Sequence, residues 1–223
     1  MMPYMIIQPT RDRVPSRILL ATNNEAKVLR FRELIRHILP SLTVLTPEEV
    51  FLPSADIKEN GQTLLENASI KARTYHGMTP FSILANDTGF FVEGEGFILA
   101  PKRKALEAQN RSDLNQEETA EAILSFWKNI ARKHGGRVDA AWVESFVMLH
   151  PDGTLLSAKS RRELILTDQE FGRPHPGMPV RALYISKTTG KPAITHTKEE
   201  ELSEMRPVIS ALDALIKTLP RGL

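Results

Sequence analysis

Three polar segments of the sequence combine residue types that handle phosphate. The first is Thr22-Asn23-Asn24-Glu25-Ala26-Lys27, which follows the short apolar run 17–21. A helix that begins at such a turn directs backbone N–H groups and the positive end of its dipole at an anion. The hydroxyl and amide side chains add donors, and Lys27 adds a positive charge one turn into the helix. The segment predicts a phosphate cradle, with an N-cap and a surface lysine as the alternative.

The second segment is Asn86-Asp87-Thr88-Gly89, which directly follows the apolar run 81–85. We predict a strand over 81–85 and a turn over 86–89. This arrangement places Asp87 at the carboxyl end of a sheet, where ligands bind in open α/β folds. Asp87 would hold Mg²⁺ or act as a general base toward water. The alternative is a turn residue that hydrogen-bonds to its own backbone.

The third segment is an acidic loop, 56–61, that leads into a predicted helix over 63–75. Asn67 and Lys71 are four residues apart, so they share one face of that helix. Lys71 would neutralise phosphate, and Glu59 or Asp56 would bind a metal ion. Mg²⁺ commonly takes one or two carboxylates together with substrate phosphates. A solvated helix face is the alternative.

The composition argues against several other chemistries. The chain has 223 residues, 29 basic and 27 acidic side chains, six histidines and no cysteine. Disulfides, thiolate metal sites and a cysteine nucleophile are therefore excluded for this chain. The near-balanced charge gives no reason to expect a nucleic acid partner. No apolar run approaches the roughly 18 residues of a membrane span, so we predict a cytoplasmic protein without a membrane partner.

The order of the predicted elements indicates a mixed α/β fold. Residues 17–45 form a strand–turn–helix–strand pattern, which is typical of a βαβ unit. Residues 1–16 are predicted to be an irregular leader, followed by a single domain over 17–223. The remaining predicted elements are a basic loop at 102–104, a helix over 117–134, strands over 140–149, 154–158, 163–166 and 181–186, and a helix over 198–219 interrupted near Pro207.

In their order and spacing, the three polar segments resemble the inosine triphosphatase (ITPase/XTPase) family of nucleoside triphosphate pyrophosphatases. The opening motif of that family, Thr-Gly-Asn-x-x-Lys after a strand, is similar to residues 22–27. Its helix motif, Gly-x-Thr-x-x-Glu-Asn-Ala-x-x-Lys-Ala, is closely matched by residues 61–72. Its Asp-Asp-Ser-Gly motif is similar to residues 86–89. The resemblance is specific over residues 17–92 and traceable to the end of the chain.

The resemblance implies a fold, an activity and an assembly. The fold would be inosine-triphosphatase-like: a mixed twisted sheet with flanking helices, in two lobes around a central cleft. The reaction would convert an NTP or dNTP to the monophosphate and pyrophosphate, with Mg²⁺ as cofactor. The usual substrates of the family are deaminated purine nucleotides such as ITP, dITP and XTP. The expected assembly is a homodimer.

The resemblance also implies roles for individual residues. Asp87 would be the catalytic base or the metal-linked acid, and Lys27 and Lys71 would stabilise charge on the phosphates. The metal ligands would be Glu59 and Asp87. The residues expected to bind substrate are Thr22, Asn23, Asn24, Lys27, Thr88, Phe171, which would stack on the base, and Arg206.

Two departures from the family pattern fall in the predicted metal site. Lys58 stands where the family has a metal-binding Glu, so Glu59 would have to replace it through a shifted loop. Asn86 replaces the first acid of the acidic pair. Because each change removes a carboxylate, a nucleotide-binding pseudoenzyme without efficient turnover is the alternative to an active enzyme.

Further departures fall at the predicted base-binding end. Pro174 replaces the Asp that follows the base-stacking aromatic loop, and the family's Ser-His-Arg motif falls at Ser210-Ala211-Leu212. The groups that read the purine edge are therefore missing, and with them the basis for discrimination. We predict a base specificity altered from ITP and XTP, with a less polar pocket around Phe171, Ala211 and Leu212.

Overall fold

The computed structural model describes residues 17–53, 57–108, 114–175 and 177–220. The predicted leader, residues 1–16, and the candidate ligand Asp56 lie outside the described residues. Within the described ranges, a mixed sheet is flanked by helices. Its strands are β1 Arg17–Leu20, β2 Thr43–Leu45, β3 Ser82–Val92, β4 Gly96–Ile98, β5 Arg137–Leu149, β6 Leu155–Thr167 and β7 Tyr184–Ser186. The helices are α1 Glu25–Ile38, α2 Leu64–Tyr75, α3 Pro101–Glu107, α4 Gln116–Lys133, α5 Lys198–Glu204 and α6 Arg206–Ile216.

The strand order of the sheet is β2-β1-β3-β5-β6-β7, with β4 paired to the far end of β3. The β1–β2 and β1–β3 pairs are parallel, whereas the other pairs are antiparallel. The parallel β1–α1–β2 arrangement confirms the predicted βαβ unit, and the mixed sheet with flanking helices confirms the predicted fold class.

The predicted turn at residues 86–89 is wrong, because β3 runs without interruption through these residues. Strand β5 pairs with β3 along residues 83–92 and holds the polar segment in an extended conformation. Strand β1 pairs only with residues 82–84 and then ends. The polar part of β3 therefore continues beyond the end of its parallel neighbour, beside the turn that leads into α1.

Three other predicted elements need correction. The basic segment 102–104 lies in helix α3, which begins at Pro101 and buries Ala105. The two strands predicted over 154–166 are one strand, β6, which pairs along the whole of β5. Residues 179–183 form a 3₁₀ helix, so strand β7 covers only 184–186. The predicted interruption of the C-terminal helix near Pro207 is confirmed, since α5 ends at Glu204 and α6 begins at Arg206.

Two apolar clusters cover the two ends of one sheet face. One lies between the sheet and helices α1 and α6, and includes Phe31, Phe146 and Leu212. The other lies beneath α4 and includes Phe90 and Trp127. Side chains alternate between faces along a strand, so the even-numbered positions of β3 between these clusters face the same side. A polar band separates the two clusters there.

The predicted pocket around Phe171, Ala211 and Leu212 is not formed. Ala211 and Leu212 are buried in the α1–α6 cluster, since they lie on the apolar face of α6 together with Val208 and Leu215. That face follows the spacing of an amphipathic helix packed on a core.

In the described part of the chain, no helix is both long and apolar enough to cross a membrane.

Candidate active site

Asp87 is the centre of a group of buried polar side chains. Its Oδ1 lies 2.8 Å from Lys71 Nζ, and its Oδ2 accepts a hydrogen bond of 3.3 Å from Asn67 Nδ2. Lys71 Nζ also lies 3.0 Å from Glu59 Oε1 and donates to the carbonyl of Asn86. The side chains of Asp87 and Lys71 are 8% and 10% exposed. One ammonium group thus joins the two carboxylates that were predicted to bind metal.

Helix α2 places Asn67 and Lys71 against β3. Thr63 caps its N-terminus in a complete capping box, which defines where the helix begins. Ala68 and Ala72 are fully buried against the sheet, and their small side chains let the helix approach closely. The two polar residues, four positions apart, therefore reach the same strand, as the helical spacing predicted.

Gly61 couples the acidic loop to this group. Its N–H donates to Asn67 Oδ1 at 2.9 Å, while the amide nitrogen of the same side chain donates to Asp87. A Cβ atom on residue 61 would lie 2.7 Å from Asn67 Oδ1, closer than carbon and oxygen can pack. Glycine is required here because any side chain would push Asn67 away from Asp87.

The turn between β1 and α1 is organised as a helix N-terminus. Thr22 Oγ1 accepts from the N–H of Asn24 at 3.2 Å, and Asn24 Oδ1 accepts from the N–H of Lys27 at 3.1 Å. Asn24 is therefore the N-cap of α1, and Asn23 is exposed in the same turn. The role of Asn24 as an N-cap agrees with the alternative interpretation of this segment given by the sequence. The helix N-terminus at this turn can still bind an anion.

Lys27 interacts electrostatically with the charged residues of the Asp87 group. Burial lowers its pKa to about 8, and repulsion from Lys71 adds to this effect. Asp87 and Glu144 act in the opposite direction, whereas Arg30 lowers the pKa further. Lys27 is therefore mostly protonated at neutral pH, with a smaller reserve than an ordinary lysine.

This pKa predicts a loss of substrate capture in mild alkali. As the pH rises through about 8, Lys27 loses its charge. For the triphosphate substrate that the family resemblance implies, we therefore expect kcat/KM to fall about tenfold per pH unit, because only the protonated enzyme binds. Lys27→Arg should remove this decline, because guanidinium stays charged. The pH profile of kcat/KM measures both, with Lys128→Arg, at a surface ion pair, as the control. An identical decline in Lys27→Arg would contradict the assignment.

The opposite face of β3 carries a second polar group, which sequence reasoning missed. Asn86 Nδ2 donates to Thr88 Oγ1 and to Glu144 Oε2, each at 3.2 Å. Glu144 is fully buried on β5, and its Oε1 lies 2.6 Å from Arg30 Nη2. Arg30 follows Lys27 by three residues on α1, so this second group is connected to the N-terminal half of that helix.

The signal for Glu144 was present in the alternation of β5. Trp142, Glu144 and Phe146 share one face of the strand, and the first and last are large apolar residues. A carboxylate between two such residues is expected to be buried with partners, since an unpaired buried charge is costly. The basic partners, Arg30 and Arg162, are distant in sequence, so the spacing alone does not identify them.

Two predicted site residues, Phe171 and Arg206, lie away from the Asp87 group, and so does Lys58, which replaces a family metal ligand. Phe171 is half-buried in the loop before α5, where its N–H donates to the carbonyl of Ala182. Arg206 is exposed at the first position of α6, and Lys58 is exposed in the acidic loop. Among the described residues, no hydrogen bond or ion pair joins any of the three to Asp87, Lys71 or Glu59.

Comparison with known proteins places this fold in a defined class. The Ham1 family matches residues 18–161, which is more than half of the chain. The chain belongs to the Ham1 family. A solved Staphylococcus aureus Ham1 protein shares the fold with a TM-score of 0.66 at 23% identity, covering 91% of this chain and 98% of that one.

Two relatives are dITP/XTP pyrophosphatases. The one from Aquifex aeolicus is 38% identical over 77 residues, and the one from Symbiobacterium thermophilum is 36% identical over 80 residues. The matched segments cover 34% and 36% of this chain. They span 35% and 38% of the length of those relatives, so the likeness in sequence covers about a third of each protein.

Proposed function

We propose that this chain is a nucleoside triphosphate pyrophosphatase that converts an NTP or dNTP to the monophosphate and pyrophosphate. The observation that carries the proposal is the Asp87 carboxylate, held by Asn67 and Lys71 beside the N-terminus of α1. The sequence relatives, which are dITP/XTP pyrophosphatases, support the same reaction. A homodimer in the cytoplasm is proposed from the family resemblance.

The chemistry requires water to attack the α-phosphorus. A new bond forms between the water oxygen and that phosphorus, and the bond from the α-phosphorus to the α–β bridging oxygen breaks. Pyrophosphate leaves with the bonding electrons, while Asp87 accepts a proton from the attacking water. Lys27, Lys71 and the N–H groups at the start of α1 stabilise charge on the phosphates, which is the main contribution that preorganised donors make.

The carboxylates of Glu59 and Asp87 support the proposed magnesium ion. Glu59 Oε1 and Asp87 Oδ1 lie 3.0 Å and 2.8 Å from Lys71 Nζ, so the two carboxylates converge on one cationic group, which is here the lysine ammonium. Two carboxylates with phosphate oxygens and water form a usual Mg²⁺ set. Within the described residues no three His, Cys, Asp or Glu side chains converge, so substrate oxygens would complete the shell. Bound Mg²⁺ would neutralise phosphate charge.

The loop carrying Glu59 supports the predicted replacement of one metal ligand by its neighbour. Lys58 and Glu59 are both exposed, but only Glu59 contacts Lys71 of the buried group. A ligand at position 59 is therefore within reach of Asp87 without any carboxylate at position 58. We propose Glu59 and Asp87 as the protein ligands of the metal.

The surroundings of α6 support the proposed change in base specificity. Ala211 and Leu212 are core residues there, and Ser210 is exposed on the helix surface. Positions 211 and 212 therefore offer no polar group to a purine edge. A site that hydrogen-bonds its substrate rejects analogues strongly, and loss of those groups removes the rejection. We propose that ITP and XTP are not strongly preferred over other purine nucleotides.

A panel of standard and modified NTPs and dNTPs tests the proposal. We expect pyrophosphate release with at least one purine nucleotide when Mg²⁺ is present, and none with excess EDTA. The ratio of kcat/KM for ITP to that for other purine nucleotides tests the altered specificity. Nucleotide binding without release from any member of the panel would establish the pseudoenzyme instead.

A further inference from the structure

We propose that Glu144 is a positioning residue: its buried carboxylate holds Asn86 and thereby sets the part of β3 that presents Asp87. The inference rests on the proposed function, because its kinetic effect is read through Asp87. It concerns a residue on a different strand that contacts neither carboxylate of the proposed metal site. Glu144 lies on β5, directly opposite Thr88 in the strand register.

The neighbours of the Glu144 carboxylate are hydrogen-bond donors. Asn86 Nδ2 donates to Oε2 at 3.2 Å, and Arg30 Nη2 donates to Oε1 at 2.6 Å. Arg162 Nη2 is 3.4 Å from the same Oε1. Both carboxylate oxygens must therefore act as acceptors. An ionised carboxylate meets this requirement, because it carries no proton.

Charge balance keeps Glu144 ionised although it is 0% exposed. Burial by itself raises the pKa of a carboxyl group, but Arg30 and Arg162 together hold the pKa of Glu144 below its ordinary value. Arg162 is in turn paired with Glu204 at 2.7 Å, and Tyr184 donates to Glu204 at 3.0 Å. The carboxylate is thus fixed by a buried series of groups from α1, β6, β7 and α5.

Asn86 transmits this position to the reacting group. Its side-chain amide is bound by Glu144, and its backbone carbonyl accepts from Lys71 Nζ at 3.3 Å. The next residue is Asp87, whose side chain leaves the opposite face of the strand. Both faces of β3 are therefore held at the peptide that carries Asp87, one by a carboxylate and the other by an ammonium group.

This arrangement explains why position 86 carries an amide. An aspartate there would face the Glu144 carboxylate in a buried site, and two adjacent carboxylates cannot both remain ionised without a large cost. An asparagine instead supplies the donor that Glu144 requires. Asn86 and Glu144 form a matched pair, which accounts for the departure from the acidic pair of the family.

The pair is tested by exchanging its donor and acceptor. In Glu144→Gln an amide NH₂ group, itself a donor, replaces one of the two carboxylate oxygens that accept hydrogen bonds. We expect kcat to fall by about 10-fold to 10²-fold, because a small misplacement of a reacting group has an effect of this size. KM should change less than about twofold, because the phosphate-binding groups remain. Asn86→Asp should cause a comparable loss. The double variant should recover most of kcat, since the introduced glutamine amide donates to the introduced carboxylate.

Two further variants keep the test decisive. Glu163→Gln removes a carboxylate from the exposed side of β6 and should match the wild type. Asn86→Ala removes the donor without burying a new charge, and it decides the matter if Glu144→Gln does not fold. A loss of kcat at constant KM in Asn86→Ala supports the pair, whereas an unchanged kcat overturns it.

The outcomes separate this inference from the proposed function. If the wild type releases pyrophosphate and Glu144→Gln retains the wild-type kcat, or the double variant is no better than the weaker single variant, the inference fails alone. If the wild type releases no pyrophosphate, the proposed function fails. The same four proteins then test the pair through the free energy of unfolding, where recovery in the double variant supports the pair and additive losses overturn it.

Discussion

Asp87→Asn is expected to lower kcat by about 10²-fold to 10⁴-fold, the range that a positioned general base contributes. The change removes the acceptor for the water proton and one proposed metal ligand, but keeps the size of the side chain. The asparagine oxygen can still accept one of the two hydrogen bonds that Lys71 and Asn67 donate to Asp87, so we expect the fold to persist. Steady-state pyrophosphate release and circular dichroism measure the two effects.

The matched control for this prediction is Asp139→Asn. Asp139 makes an exposed ion pair with Lys187 on the sheet, outside the Asp87 group. The control should retain full activity, since exposed ion pairs contribute little. An Asp87→Asn protein with wild-type kcat would refute the role assigned to Asp87, whatever the source of the activity.

Lys71→Met should impair both turnover and stability. The lysine neutralises buried Asp87, and its removal leaves that carboxylate with a single amide donor. Breaking one partner of a buried pair costs about 3 kcal/mol or more, because the other charge remains desolvated. We expect a loss of about 3 kcal/mol in the free energy of unfolding, measured in urea, and a loss of kcat comparable with that of Asp87→Asn.

A double variant separates the two effects of Lys71. Lys71→Met with Asp87→Asn removes both charges, so stability should recover while turnover does not. Lys187→Met, at an exposed pair, serves as the control and should cost less than about 1 kcal/mol. Equal stability losses in the single and double variants would show that packing of Lys71, rather than its charge, supports the fold.

The α2 side of the site could be predicted because its information is local. Asn67 and Lys71 are separated by four residues on an amphipathic helix, and a capping box marks its start. These features need no knowledge of the rest of the chain. The structure brings both side chains to Asp87, as their spacing and the resemblance together suggested.

The course of β3 could not be predicted in the same way. Asn, Asp, Thr and Gly favour turns in isolation, and residues 86–89 were therefore predicted as one. The pairing with β5, more than fifty residues later, decides the conformation instead. Tertiary pairing overrides local preference here because the ladder with β5 gives the polar segment backbone hydrogen bonds that an isolated turn would lack.

The pocket expected around Ala211 and Leu212 was predicted wrongly for a different reason. Resemblance directed attention to Ala211 and Leu212 as pocket residues, whereas their spacing with Val208 and Leu215 is that of a core stripe. Helical periodicity, used on this segment, would have favoured the core. Glu144 was not predicted as a site residue, because its ion-pair partners, Arg30 and Arg162, are distant from it in the sequence.

The position of bond cleavage tests the central claim most directly. A single turnover of the best substrate with Mg²⁺, resolved by anion-exchange chromatography, gives the identity of both products. We expect nucleoside monophosphate and pyrophosphate in equal amounts, with both formed about 10²-fold to 10⁴-fold more slowly by Asp87→Asn. Nucleoside diphosphate with inorganic phosphate would show attack at the γ-phosphorus and would contradict the mechanism proposed around Asp87.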